Sequence, residues 1–271
     1  MRVLSWNLYH GRDRPPDEAL FTWRSRLLRA TERNETHAQV NRLLRDEFAA
    51  WIAEHDWDVA LLQEAQPLWF SEFGRRARAN GVRVLTSRNV VPALQRLAAN
   101  LNPDLIASWE GGSNQLFVRA PGRILEHRKL TLAIRPEQRR MVWTRVRLAS
   151  GDTLCAANLH ASAGLPDQAS GELLAAAAAA VEWSGDAPLV FGGDTNLRPA
   201  HTPIPFEVVR ERFGLGEPTA PRAIDHVLAR GLDVEEPPRR LPPEARELPA
   251  EDGLRLRLSD HAPVTARFEV R

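Results

Sequence analysis

Nine short runs of β-forming residues recur through the chain, at residues 2–8, 59–63, 115–119, 130–134, 141–148, 153–159, 189–191, 224–229 and 264–270. Strands spread from end to end, with segments of helical periodicity between them, imply stacked sheets covered by helices. The run Val59-Ala60-Leu61-Leu62 is apolar on both faces and predicts an interior strand. Ala149-Ser150-Gly151-Asp152 joins two runs and is a hairpin signal. Residues 36–55 carry Val40, Leu43, Leu44, Phe48, Trp51 and Ile52 at helical spacing, with Asn34 as the expected N-cap. An alanine-rich helix is expected over 172–183, its small side chains allowing close approach to a sheet, and a third helix over 92–100. Residues 13–33 read as an irregular or helical insertion. Residues 235–253, with Pro237, Pro238, Pro242, Pro243 and Pro249, read as a surface excursion before the last strand.

A chain of 271 residues with 43% hydrophobic and 26% charged side chains fits one domain over residues 1–271. Its longest uncharged apolar run, residues 173–181, is far short of the roughly 18 residues that span a bilayer. Met1-Arg2 leads straight into a strand, without the apolar stretch and small-residue cleavage site of a secretory signal. Cys155 is the only cysteine, so an intramolecular disulfide is excluded. A soluble protein of a reducing compartment, the cytoplasm, is the expectation. Net charge is +1 and selects neither for nor against a polyanion.

Polar residues at the ends of these runs carry the functional information. Asn7, Glu64, the pair Asn158 and His160, and the pair Asp194 and Asn196 each close a strand. Asp225 opens one, and Ser259-Asp260-His261 precedes the last. Period-two geometry puts Asn158 with His160, and Asp194 with Asn196, on one face if the backbone stays extended. Any one of these is an ordinary turn former or cap. An acid, amide and imidazole set on six segments implies convergence at one edge. Mg²⁺ takes hard oxygen ligands and one or two protein carboxylates, a role that suits Glu64 and Asp260 with Asn7 assisting. Imidazoles are poorer Mg²⁺ ligands but carry protons and meet phosphate oxygens, which suits His160 and His261. Zn²⁺ would leave the amides Asn7 and Asn196 without a purpose.

In order, Ser5-Trp6-Asn7, Leu62-Gln63-Glu64, Gly111-Gly112-Ser113-Asn114, Asn158-Leu159-His160, Gly192-Gly193-Asp194-Thr195-Asn196, Ile224-Asp225-His226-Val227 and Ser259-Asp260-His261-Ala262-Pro263-Val264 resemble the endonuclease/exonuclease/phosphatase superfamily, the DNase I-like fold. The resemblance implies a four-layered α/β sandwich, two packed mixed β-sheets flanked by helices, and metal-dependent hydrolysis of phosphoesters. Carried over by position, it implies Glu64 as the principal Mg²⁺ ligand, with Mn²⁺ as the alternative ion, and Asn7 and Asp260 as supporting ligands. Asp194 and Asn196 resemble the pair that positions the attacking water and the scissile phosphate. His261, oriented by Asp225, and His160 resemble the two histidines that stand beside that phosphate. Either Asp194 or His261 takes the water's proton, and Asn114 and Asn158 are candidate substrate contacts. The abasic-site branch uses a tyrosine in mid-chain, whereas Tyr9 is the only tyrosine here.

The expected activity is an intracellular phosphodiesterase or endonuclease acting on nucleic acid. A phosphatase or phosphodiesterase for a small metabolite or lipid headgroup is the alternative, and a non-catalytic binding module is the third. Arg75-Arg76-Arg78, Arg88, Arg139-Arg140 and Arg239-Arg240 could supply DNA backbone contacts, and Trp6, Trp23, Trp69 and Trp109 could stack on bases.

Overall fold

The computed structural model describes residues 1–86, 112–135 and 137–270. The helix expected over 92–100 lies outside them. Along the chain run β1 (Arg2–Asn7), β2 (Glu32–Arg33), β3 (Ala38–Gln39), β4 (Val59–Ala65), β5 (Ala79–Leu85), β6 (Ser113–Arg119), β7 (Arg123–Ala133) and β8 (Arg139–Arg147). They continue as β9 (Thr153–His160), β10 (Leu189–Asp194), β11 (Asp225–Arg230), β12 (Leu232–Arg240), β13 (Glu247–Pro249), β14 (Arg255–Arg257) and β15 (Val264–Val270). The α-helices are α1 (Trp23–Leu28), α2 (Arg45–Glu54), α3 (Phe70–Ala77), α4 (Pro166–Ser184) and α5 (Pro203–Phe213).

Two large mixed sheets form the centre. One has the order β12-β15-β1-β4-β6-β5, the other β11-β10-β9-β8-β7. Each contains one parallel pair, β1 with β4 and β9 with β10, and its other neighbours are antiparallel. Alternation sorts the side chains into layers. Val3, Val59, Leu61, Leu116 and Val118 of the first sheet meet Val142, Val146, Leu154, Ala156, Val190 and Val227 of the second in one buried cluster. Leu4, Trp6, Ala60 and Leu62 point the other way, onto Phe48, Trp51 and Ile52 of α2 and Phe73 of α3. Trp143, Ala157, Leu189 and Phe191 likewise face Leu173, Ala176, Ala177 and Ala180 of α4 and Val209 of α5. The run Val59-Ala60-Leu61-Leu62 is apolar on both faces because each face is covered. Full burial of a side chain such as Leu61 or Phe191 contributes roughly 1.5–3 kcal/mol.

Several elements differ from expectation. The helix expected over 36–55 begins only at Arg45, since Ala38–Gln39 pairs with Glu32–Arg33 as a small ribbon. Asn34 caps a turn instead: its Oδ1 accepts from the Thr36 and His37 amides at 2.9 and 2.8 Å. The expected excursion over 235–253 starts as an edge strand. Pro237 and Pro238 fall in the register shift between Glu236 and Arg239, where no ladder hydrogen bond is required of them. The ribbon β13-β14 follows it. β5, α3 and α5, which were not among the expected elements, also form. Among the described residues, no helix is long and apolar enough to cross a membrane.

Candidate active site

The two parallel pairs end at the same edge, and that edge carries the polar residues. Asn7 of β1 lies beside Gln63 of β4, so Glu64 follows at the rim. In the second sheet Asp194 pairs across to His160 of β9 and to Asp225 of β11, which sets the three side by side. The loop before β15 adds Asp260 and His261. Tyr9, His10, Arg12, Glu64, His160, Ala163, Asp194, Asn196, Asp260 and His261 line a cleft of about 330 Å³.

Backbone geometry at this edge is unusual. Glu64, Asn196 and Ser259 have φ of 47°, 53° and 57°, and Tyr9 and His10 have φ of 48° and 53°. Left-handed conformations of non-glycine residues cost on the order of 1–3 kcal/mol each and gather where a site demands them. Asn196 therefore reaches the cleft through a turn rather than an extended strand. Its amide N–H donates to Asp194 Oδ1 at 2.9 Å and its Nδ2 to Ala161 O at 2.9 Å. Gly193, at φ 130°, makes the close approach before the turn, since a Cβ there would fall 2.0 Å from Leu159 O. Thr195 donates from Oγ1 to Ile224 O at 3.0 Å and ties the turn to the residue that precedes β11.

Buried hydrogen bonds fix the side chains. Asn7 donates from Nδ2 to Asp194 Oδ2 at 2.9 Å, bridging the two sheets, and accepts the Tyr9 amide at 3.0 Å. His261 Nδ1 meets both Asp225 oxygens, at 2.8 and 3.0 Å. Its Nε2 lies 3.8 Å from Asp194 Oδ2 and 3.8 Å from Asp260 Oδ1. Trp6 Nε1 donates to His261 O at 2.9 Å, and Ser259 Oγ accepts the His261 amide while donating to Asn7 O at 2.7 Å. His160 Nε2 stands 3.6 Å from Asp194 Oδ2 and 3.7 Å from Glu64 Oε1.

Sequence reasoning overlooked His10 and named Arg139 only as a candidate DNA backbone contact. His10 Nε2 is 3.2 Å from Glu64 Oε2. Arg139 Nη1 is 3.2 and 3.5 Å from the two ring nitrogens of His160. Such similar distances to both nitrogens place the guanidinium over the ring face rather than in line with one lone pair. The signal for His10 was present, since Tyr9-His10-Gly11 directly follows Asn7 at a strand end.

Two candidate substrate contacts sit away from the cleft wall. Asn158 is fully buried between the sheets, accepting from Gln63 Nε2 at 2.7 Å and donating to Leu62 O and Gln115 O at 2.9 and 2.8 Å. Asn114 is buried and donates to Arg140 O. Arg75 and Arg76 are paired with Glu72, Trp6 and Trp69 are core, and Trp23 is exposed. Arg88 and Trp109 lie outside the described residues.

Charge is unevenly shared. Burial pushes the Glu64 carboxyl up, but the positive charge of His10, His160, His261 and Arg139 outweighs it and holds the group at about 2. His160 is driven down to about 3 by burial and by Arg139, with Glu64 pulling the other way. Burial opposes the imidazolium of His261, yet Asp225, then Asp194 and Asp260, raise it to about 10. Burial and the neighbouring Asp225 raise Asp194 well above the usual carboxylate range, against His261 and the bonds from Asn7 and Asn196. Asp260 is raised by burial, with His261 opposing and Glu64 adding to it.

The donor chemistry fits a divalent cation. Glu64 and Asp260 offer hard oxygens to one cleft, and Glu64 raises the proton affinity of Asp260 as Asp225 raises that of Asp194, the sign of like charges that a cation would relieve. Among the described residues, the three-ligand group whose donor atoms all lie within 4.8 Å of one another is Asp194, Asp225 and His261. Glu64 and Asp260 stand outside it. The 2.8 Å bond from His261 to Asp225 gives that trio a purpose without an ion.

Residues 4–261 match the endonuclease/exonuclease/phosphatase family. The chain belongs to that family. Its members are phosphoester hydrolases that generally use divalent metals, and no curated protein matches the chain. Among solved structures it is similar to an endonuclease/exonuclease/phosphatase family protein from Bacteroides thetaiotaomicron, with TM-score 0.66, 14% identity, and coverage of 100% of this chain and 98% of that one. It is similar to a mannosyl-6-phosphatase of Bacteroides thetaiotaomicron VPI-5482, with TM-score 0.65, 14% identity and coverage of 99% of each. It is also similar to D. rerio TDP2 complexed with a single strand DNA product, with TM-score 0.62, 16% identity, and coverage of 100% and 99%. At such identities the likeness is one of fold, and it agrees with two large mixed sheets flanked by helices.

Proposed function

We propose that this family member is a Mg²⁺- or Mn²⁺-dependent phosphodiesterase that hydrolyses its substrate by in-line attack of water on phosphorus. The observation that carries the reading is the opposed state of two buried neighbours. His261 is held as an imidazolium by Asp225, and Asp194, 3.8 Å away, is held with raised proton affinity. An imidazolium cannot accept a proton, so Asp194 is the base and His261 the donor to the phosphate or leaving oxygen. Asn7 and the Asn196 amide fix the two Asp194 oxygens for that task. Neutral His160 donates a hydrogen bond without changing charge. A divalent cation held by Glu64 and Asp260, with Asn7 nearby, would supply positive charge for the phosphoryl oxygens.

Nucleic acid is the leading substrate class, supported by the fold likeness to a TDP2 bound to a DNA product. A small phosphate ester is the second reading, favoured by the modest cleft of about 330 Å³ and by the fold likeness to a mannosyl-6-phosphatase. A panel of plasmid DNA, RNA, bis-p-nitrophenyl phosphate and p-nitrophenyl phosphate, with Glu64→Ala and His261→Ala as blanks, tests the site. Near wild-type turnover in either variant would remove the assignment. Cleavage of nucleic acid should weaken steeply with added salt, because salt lowers the entropy gained when binding releases counterions from the phosphates, whereas a small ester should respond little.

A further inference from the structure

We propose that His10 is a ligand of the cation held by Glu64, and that its nitrogen tilts the site from Mg²⁺ toward Mn²⁺. The inference rests on Glu64 holding that cation.

His10 is placed by a costly turn. Tyr9, His10 and Gly11 are successive left-handed residues, with φ of 48°, 53° and 78°. A Cβ on Gly11 would lie 2.0 Å from Trp69 Cη2, so the turn is pressed against a core ring, and Gln66 Nε2 holds His10 O at 2.8 Å. Among the described residues, only Nε2 of the ring has a polar neighbour. It lies 3.2 Å from Glu64 Oε2, whereas Nδ1 is buried without a hydrogen-bond partner. A ring positioned to brace the turn would be expected to engage Nδ1. This one turns its other nitrogen into the cleft.

The spacing suits two ligands of one ion. Adjacent donors of an octahedral ion with bonds of about 2.1 Å are about 3 Å apart, close to the 3.2 Å between Nε2 and Oε2. Imidazole nitrogen is accepted by first-row transition ions and poorly by Mg²⁺, which prefers oxygen. One nitrogen added to Glu64 and Asp260 therefore favours Mn²⁺.

The test is metal binding by the whole protein, read by calorimetry with Mn²⁺ and with Mg²⁺, and by pulsed EPR of bound Mn²⁺. Wild type should show ¹⁴N modulation that His10→Ala abolishes, with Mn²⁺ affinity falling about tenfold or more while Mg²⁺ affinity changes about threefold or less. His10→Gln, which keeps bulk and polarity, should behave like His10→Ala. Equal losses for both ions would overturn the inference, as would retention of the ¹⁴N signal in the variants. Wild-type protein without ¹⁴N modulation would overturn it even if both variants failed to fold. Glu64→Gln separates the two readings: retained binding there sinks the placement of the metal itself, whereas lost binding together with an unchanged ion preference in His10→Ala sinks only the part given to His10.

Discussion

Asp225→Asn tests the charge pattern of the site while changing almost no volume. In the native protein Asp225 contributes the largest upward pull on His261, through charge and two hydrogen bonds at 2.8 and 3.0 Å. Burial pulls the other way while Asp194 and Asp260 still pull up, so loss of the carboxylate should drop His261 from about 10 toward the ordinary value of about 6.5. At about 1.4 kcal/mol per pH unit, that fall corresponds to at most about 5 kcal/mol of differential interaction with the protonated ring. Because the folded value is raised, this stability is fully present below about pH 6.5 and is lost as pH rises through about 10. Destabilisation of the variant should therefore be largest near or below pH 6.5 and fade in strong alkali. Asp194 also loses a neighbour that raises it, so both limbs of the pH–rate curve should move toward acid. At pH 7.5 a ring titrating near 6.5 is about one-tenth protonated, which predicts about a tenfold or greater fall in kcat that partly recovers on acidification. NMR titration of the metal-free protein reads His261 directly, alongside kcat across pH 5–10. An alkaline limb left in its wild-type place, or a uniform loss at every pH, would refute the assignment of His261 as a carboxylate-held imidazolium.

Other expectations are simpler. Gly11→Ala, at φ 78° and against Trp69, should cost about 3 kcal/mol or more in chemical denaturation; a loss below about 1 kcal/mol would show that the turn yields easily. Asn158→Leu should cost about 3 kcal/mol by leaving Leu62 O and Gln115 O without their donor, with KM unchanged in the remaining folded enzyme. A raised KM at unchanged stability would return Asn158 to the substrate. Millimolar Mg²⁺ or Mn²⁺ should raise the Tm of wild type by mass action and leave Glu64→Gln unmoved, and an equal rise in both would place the ion elsewhere.

Much of this was legible in residues 2–8, 59–63 and 153–159, because a strand covered on both faces must be apolar on both. The same logic pointed to the candidate site, since a polar residue ending such a strand marks where its apolar layer stops. Asn7, Glu64, His160 and Asp194 are such residues, and the edge brings them together. Asn158 obeyed the same pattern yet lies one step below the edge, where its amide bridges the sheets. Period alone does not say where a cleft stops. Nor does it reveal reach through a turn: His10 arrives by left-handed backbone, and Arg139 by lying over a ring fixed 21 residues away in sequence. The helix boundary misplaced by nine residues, 36 against Arg45, reflects a turn that Asn34 caps equally well.

The pairing of β1 with β15 at the middle of the first sheet has a kinetic consequence. Met1 donates to Phe268 O, and Ser259 donates to Asn7 O across 252 positions of sequence. A polypeptide emerging from residue 1 onward can form β4 or α2 early, but it has no complete cleft until His261 has been made and folded back. Hydrolytic competence is thus expected as the final event of folding, set by slow closure of a very long loop. A nascent or C-terminally clipped chain would then carry Glu64 and Asp194 without being able to cut anything.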